Sequence, residues 1–393
     1  METKLDDDDA GQGETDTLAS DDKLDTEFLE RTLDDLKRIN PEKYARKRRV
    51  RPDLKAHADR VARLDLIHCP TEYDERARRL FVKAVGAATS GREGRLIAIY
   101  GASQSGKTHI LDRLSTHKDL QESQDDEGLV LPLISLSTPS ASTTKSLGAA
   151  ILKELNRRGK QSRPFNDFSQ LARLPDNPRI WSKVHEMLES YGTEFLLIDE
   201  IHNVLLSPKA KDNYESTAME IKNLLNNKVW PVNVVIFGTV EKTSTLIDKL
   251  EELATRVKRV AIQPIRRDNE GYEEIKAFVA GIERRLDFSQ PSKLDTAEMA
   301  KRFWLASLGD RGKIARLIFD AAEDAYAAQA KCLKPEYLAD AFEDNVNVLR
   351  SDNPFNLAVA LEDLHPISAA AWRATATKTS LRGKKTPPDD QPR

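Results

Sequence analysis

The chain has 393 residues, with 61 Lys and Arg against 64 Asp and Glu and a formal net charge of −3. That length allows a sizeable core and about two domains, and the overall charge selects no class of partner. The two cysteines, Cys69 and Cys332, and the seven scattered histidines exclude a disulfide framework or a Cys/His metal cluster. With no apolar stretch near 18 residues and no cleavable signal pattern, a reduced, cytoplasmic protein without a membrane span is expected.

Charge is unevenly placed at the start. Residues 1–30 hold 12 acids and two lysines, including the run Asp6–Asp9, and residues 1 to about 25 are expected to be disordered. Residues 37–63 hold 11 Lys/Arg and three acids, centred on Arg46, Lys47, Arg48 and Arg49. A basic block behind an acidic tail suits a phosphate backbone, with the tail as electrostatic competitor; a solvated helix face has the same composition. Residues 26–66 have a helical pattern interrupted by Pro41 and Pro52. A second helix is predicted over residues 72–87, with Ala77, Leu80, Phe81 and Val85 on one face.

A short apolar strand over 95–100 then runs into Gly101-Ala102-Ser103-Gln104-Ser105-Gly106-Lys107-Thr108. This fits the phosphate-binding loop G-x-x-x-x-G-K-[ST] without a mismatch. Gly101 and Gly106 let the backbone curl its N–H groups toward a phosphate, and Lys107 reaches the β- and γ-phosphates. The Thr108 hydroxyl is a Mg²⁺ ligand, and the following helix adds its N-terminal dipole. A strand is predicted over 129–136, a helix over 147–155, a polar excursion over 159–178 and a helix over 180–188. The next strand, 194–199, ends in Asp199-Glu200. An acid at the carboxyl end of a central strand sits beside the phosphate loop in this fold class. Asp199 would hold Mg²⁺, directly or through water, and Glu200 would polarise the attacking water as general base. A helix over 214–227 and a strand over 232–237 follow. This βα alternation implies a parallel sheet with helices on both faces. Beyond 270 only helices are predicted, at 270–286, 295–307, 311–328 and 335–349. The expected organisation is an acidic tail (1–25), a basic helical segment (26–90), an α/β core (91–268), a small all-helical lid (269–350) and a C-terminal tail (351–393), flexible from about 376.

A phosphate-loop αβα core followed by a helical lid resembles AAA+ ATPases, and the finer pattern is similar to the TniB/TnsC group of transposition regulators. Four segments carry the likeness: Gly101–Thr108; Ser135-Leu136-Ser137-Thr138-Pro139 with Thr144-Lys145-Ser146-Leu147; Ile198-Asp199-Glu200-Ile201-His202-Asn203-Val204-Leu205; and Leu224-Leu225-Asn226-Asn227 leading to Val234–Thr239. They span roughly 95–265. The first and third are shared with wider ATPase classes, whereas His202-Asn203 and the spacing to Gly238-Thr239 are more specific. The resemblance implies several roles. Thr239 would be the polar sensor that orients the attacking water, although a strand-ending Thr also caps helices. Arg256, with Arg259 as competitor, would reach the neighbouring subunit's γ-phosphate. Arg311 and Arg316 both stand where a second sensor arginine is expected, with Arg316 the one assigned to nucleotide. Thr143 and Lys145, in a hydroxyl-rich loop, would grip a DNA backbone, although Thr143 or Thr144 would equally cap the helix that follows.

The implied function is an ATP- and Mg²⁺-dependent ATPase that oligomerises on duplex DNA and recruits or activates a transposase, alongside a target-selection protein. Hydrolysis would dismantle the complex. The rivals are an NTPase signalling or defence switch without DNA binding, and an initiator or helicase-loader ATPase. The basic block favours the DNA classes, and the short chain beyond 349 leaves little room for an initiator's winged helix.

Overall fold

The computed structural model describes residues 55–126, 128–140, 142–159, 177–206, 210–250, 255–346, 348–368 and 371–372. The acidic tail, the Arg46–Arg49 block, most of the polar excursion and the final tail lie outside them.

Helix α1 (Lys55–Leu64) comes first, followed by α2 (Glu72–Thr89). A capping box fixes the start of α2: Thr71 Oγ1 accepts from the Asp74 amide, and the Asp74 carboxylate accepts from the Thr71 amide at 2.8 Å. Strand β1 (Leu96–Gly101) leads through the phosphate loop into α3 (Lys107–Leu114). The strand expected over 129–136 is two strands. β2 (Ser123–Asp125) and β3 (Gly128–Val130) form an antiparallel hairpin, and β4 (Leu133–Ser137) belongs to the main sheet. Pro132 separates them: it has no N–H for a ladder, and its carbonyl instead accepts from Glu194 and Phe195. Then come α4 (Thr144–Gly159), α5 (Asn177–Ser190), β5 (Phe195–Asp199), a 3₁₀ segment (Ile201–Leu206), α6 (Ala210–Asn226) and β6 (Asn233–Gly238). Two elements absent from the sequence reading complete the core: α7 (Val240–Asp248) and strand β7 (Val257–Ile262).

The sheet is parallel throughout, in the order β4-β5-β6-β1-β7. Tyr100 pairs with Gly238, Gly101 with Ile262, and Ser137 with Asp199. The carboxyl ends of all five strands therefore gather on one edge, where crevices form in open α/β sheets. Side chains alternate between the faces. Leu96 and Ala98 pack under α4, α5 and α6, whereas Ile97 and Ile99 pack under α2 and α3.

Four further helices, α8 (Asn269–Glu283), α9 (Ala297–Ser307), α10 (Arg311–Ala327) and α11 (Pro335–Val346), enclose a separate apolar core. Asp268, Thr296 and Asp310 cap the first three. Leu64 and Ile67 join this second core, and Arg60 ties α1 to it through Asp287 and the Tyr326 ring, 3.9 Å away. The expected tail from 351 is partly folded. Phe355 and Trp372 are buried in the same core, and the Trp372 indole donates to the Ala306 carbonyl at 2.9 Å. Arg302, 2% exposed, explains why this stretch stays down. Its guanidinium donates to the carbonyls of Pro354 (2.7 Å), Asn356 (3.3 Å) and Val359 (3.0 Å). Arg302→Met keeps the aliphatic stem but leaves the buried Pro354 carbonyl and the half-buried Val359 carbonyl without this donor. Urea denaturation should show a loss of about 1–3 kcal/mol, and an unchanged midpoint would mean water replaces the guanidinium at no cost.

Candidate nucleotide site

The phosphate loop is held open by its glycines. Gly106 caps α3 at φ 91°, a left-handed conformation that an L side chain resists. At Gly101 a β-carbon would stand 2.6 Å from Ser105 Oγ and 2.9 Å from Ile262 Cβ. Lys107 is 6% exposed, and its Nζ donates to the Gly101 carbonyl (3.3 Å), the Ser105 hydroxyl (3.3 Å) and the Ala102 carbonyl. Burial lowers its pKa, against the pull of Asp199, Glu200 and Asp310. The loop thus holds a buried ammonium within the electrostatic influence of three carboxylates.

Asp199 lies at the end of β5, beside that loop. Thr108 donates to Asp199 Oδ2 at 3.4 Å, and Asp199 Oδ1 accepts from the Glu200 amide at 2.8 Å. Burial raises the Asp199 pKa, and Glu200 adds to this, while the Glu200 amide and Lys107 oppose it. A half-satisfied, buried carboxylate beside a threonine hydroxyl is a donor set that fits a hard divalent cation. Glu200 turns outward because its backbone is left-handed, at φ 55°. Its side chain is 44% exposed and meets His202, with Nε2 3.2 Å from Oε2. Thr239 follows β6 at the helix-cap position of α7, but its hydroxyl makes no capping bond. It lines the same cavity as Lys107, Glu200 and His202.

That cavity encloses about 1220 Å³ between the core and the helices beyond it. The phosphate loop forms one end. Leu64, Ile67, Phe278, Ile282 and Phe319 supply an apolar end suited to a flat ring system. Helix α10 closes in tightly: a β-carbon on Gly312 would lie 1.4 Å from the Gln104 carbonyl oxygen, so only glycine permits this approach. The two sensor candidates separate here. Arg311 is buried, donates to the Gln263 carbonyl at 2.8 Å, pairs with Glu274 and lies 5.2 Å from the Tyr73 ring centre. Arg316 is half-exposed on the cavity wall, 3.5 Å from Asp320, and its guanidinium remains the more available to phosphate.

The remaining residues fall elsewhere. The Arg256 carbonyl accepts from the Leu96 amide, so Arg256 sits at the amino end of the parallel strands, about 16 Å from the phosphate loop at their other end. It pairs with Glu93 at 2.9 Å and Asn226 within the chain; Arg259, on exposed edge-strand backbone, pairs with Asp248 at 3.7 Å. Thr143 caps α4: its hydroxyl accepts from the Ser146 amide at 3.2 Å. Thr144 is buried against Ser216 and Thr217, and Lys145 is half-buried. The structural part of His202 and Gly312 in the site was not legible from sequence. His202-Asn203 stood out only as a family signature, and nothing local marks Gly312 as a contact of Gln104. Among the described residues no helix is long and apolar enough to cross a membrane.

Among solved structures, the chain is similar to the Aeropyrum pernix ORC2 protein in ADPNP–ADP complexes, at 13% identity and TM-score 0.48, covering 79% of this chain and 85% of that one. It is also similar to the Aeropyrum pernix ORC1 protein in complex with DNA, at 15% and 0.45, covering 70% and 65%. A third is the Thermotoga maritima RuvB Holliday junction branch migration motor, at 12% and 0.39, covering 72% and 71%. No curated protein matches the chain. The bacterial TniB protein family matches residues 75–267, which contain the phosphate loop, Asp199-Glu200 and Thr239. Residues 75–267, just under half of the chain, are thus similar to the TniB family, and they hold the five-stranded parallel sheet together with its phosphate loop.

Proposed function

We propose that this protein is an ATP-dependent regulator of DNA transposition: it binds ATP, oligomerises on duplex DNA, recruits or activates a transposase, and leaves on hydrolysis. The observation that carries the reading is the TniB match over residues 75–267, which include the phosphate loop and the two acids at the end of β5. The proposed division places the ATPase core at 91–268 and the lid at 269–350. Thr108 and Asp199 would hold Mg²⁺, which when bound screens phosphate charge. Lys107 and the loop amides bind the β- and γ-phosphates; Glu200 accepts the proton of the attacking water, and Thr239 orients that water. Arg316 would contact the γ-phosphate from the lid. Arg256 lies too far from its own loop to act there, which suits a role at a neighbouring subunit's site. Its partner Glu93 is 74% exposed, so that ion pair holds it weakly.

DNA contact is assigned to Arg46, Lys47, Arg48, Arg49 and Lys145, with Thr143 contributing only in so far as its cap permits. None of these offers a base-reading arrangement, so binding should be sequence-independent. It should require ATP, because oligomers multiply a few contacts per subunit. Fluorescence anisotropy on random duplex DNA across a salt series should give a log–log slope of about −0.9 per phosphate neutralised. Replacing Arg46, Lys47, Arg48 and Arg49 together with Ala should flatten it. No binding with ATP at low salt, while ATP itself still binds, would favour the DNA-independent switch.

A further inference from the structure

The His202 ring fills a slot between Glu200 and the end of β6. On one side Nε2 is 3.2 Å from the Glu200 carboxylate. On the other, Nδ1 is buried and has no hydrogen-bond partner among the described residues, 3.7 Å from where a β-carbon on Gly238 would be. The same β-carbon would meet Thr243 Oγ1 at 2.3 Å, a second buried polar atom with no such partner among them. Gly238 therefore leaves room for the Thr243 hydroxyl: a β-carbon there would clash with that oxygen and crowd Ile201, whereas the ring, at 3.7 Å, is in ordinary contact.

The ring's protonation follows from its surroundings. Burial lowers the His202 pKa, Glu200 opposes this, and Lys242 and Lys107 reinforce it. A neutral imidazole carries one N–H, and a carboxylate can only accept, so the proton belongs on Nε2 and Nδ1 is the acceptor. Glu200 needs such a partner. It projects from a left-handed turn and is 44% exposed, so the turn alone does not fix the direction of its carboxylate. Next to Gly238 in sequence is Thr239, in the wall of the same cavity.

We propose that His202 is a positioning residue for ATP hydrolysis: it donates to Glu200 and ties the aim of that carboxylate to the end of β6, where the ring lies beside Gly238. The proposal rests on Glu200 acting as the general base. In this role the histidine acts through the carboxylate it holds and not on the nucleotide itself. A base misdirected by about 1 Å can lose two orders of magnitude in rate without losing affinity.

The test is steady-state ATPase kinetics on the full-length protein, with ATP affinity measured separately by a fluorescent analogue. His202→Leu should lower kcat by about 10- to 100-fold with KM and ATP affinity almost unchanged. His202→Gln places an N–H donor near the position of Nε2 and should recover most of the loss. In a Glu200→Gln background, His202→Leu should add nothing, because the residue it positions is already inactive. Equal losses in the Leu and Gln variants, accompanied by weaker ATP binding or a lower melting temperature, would overturn the proposal and leave His202 a packing residue. Full activity in His202→Leu would overturn it as well. If Glu200→Gln alone hydrolyses ATP normally, the general-base assignment fails first, and the two failures are thereby told apart.

Discussion

A Glu200→Gln variant is expected to bind ATP and Mg²⁺ as the parent does and to hydrolyse ATP at least about 100-fold more slowly. The substitution keeps the shape of the side chain and its contact with His202 but removes the only group at the end of β5 free to accept a proton. Asp199 cannot take over. Both its oxygens are engaged, Oδ1 by the Glu200 amide and Oδ2 by Thr108, and it is buried beside the loop. A 100-fold loss corresponds to about 2.7 kcal/mol of barrier, well within what a positioned base supplies. Single-turnover hydrolysis with filter-binding controls separates the effects, and complexes with DNA should outlive those of the parent. Unchanged turnover would move the base elsewhere.

Lys107→Ala should abolish tight ATP binding, weakening it by about 100- to 1000-fold. The reason is local charge. Asp199, Glu200 and Asp310 all act electrostatically on the Lys107 ammonium, so its loss leaves their negative charge uncompensated toward an incoming polyphosphate. The nucleotide-free protein should not suffer. Burial already disfavours the charged lysine, and its hydrogen bonds run only to loop atoms. Differential scanning fluorimetry reads both expectations: a melting temperature close to the parent's without nucleotide, and no rise on adding ATP. A nucleotide-induced rise equal to the parent's would refute the site.

Sequence pattern marked these elements unevenly, for physical reasons. Strands β1 and β5 were legible because both faces are covered, which leaves uninterrupted apolar runs. Strand β7 was not. It lies at the sheet edge, exposes Lys258 and Arg259 and buries Val257 and Val260, so it shows neither an apolar run nor strict alternation. The break at Pro132 was visible as a residue but not as a change of sheet. The starts of the lid helices were legible to within two residues, and Asp268, Thr296 and Asp310 mark three of them chemically, whereas the first and last helices end three residues earlier than expected. The loop at 101–108 and the pair Asp199-Glu200 could be read from spacing, since the ends of parallel strands bring them together. The Glu200–His202 contact could not, because it depends on one left-handed residue. Nor could the seating of α10 on the loop, which joins residues 208 positions apart.

The anchoring of α1 on the lid core has a mechanical consequence. Two segments, residues 65–71 and 263–268, cross between the lid and the sheet, and each contains a proline, Pro70 or Pro264. On the lid side the first is held by Ile67 and the second by Ile265, whose amide donates to the Gly309 carbonyl at 2.8 Å. A body tethered at one point can swivel freely, whereas one tethered at two turns most readily about the line joining them, as a door does. Opening of the nucleotide cavity should then follow a single arc, and α1 should travel with the lid although it precedes the whole sheet in the chain.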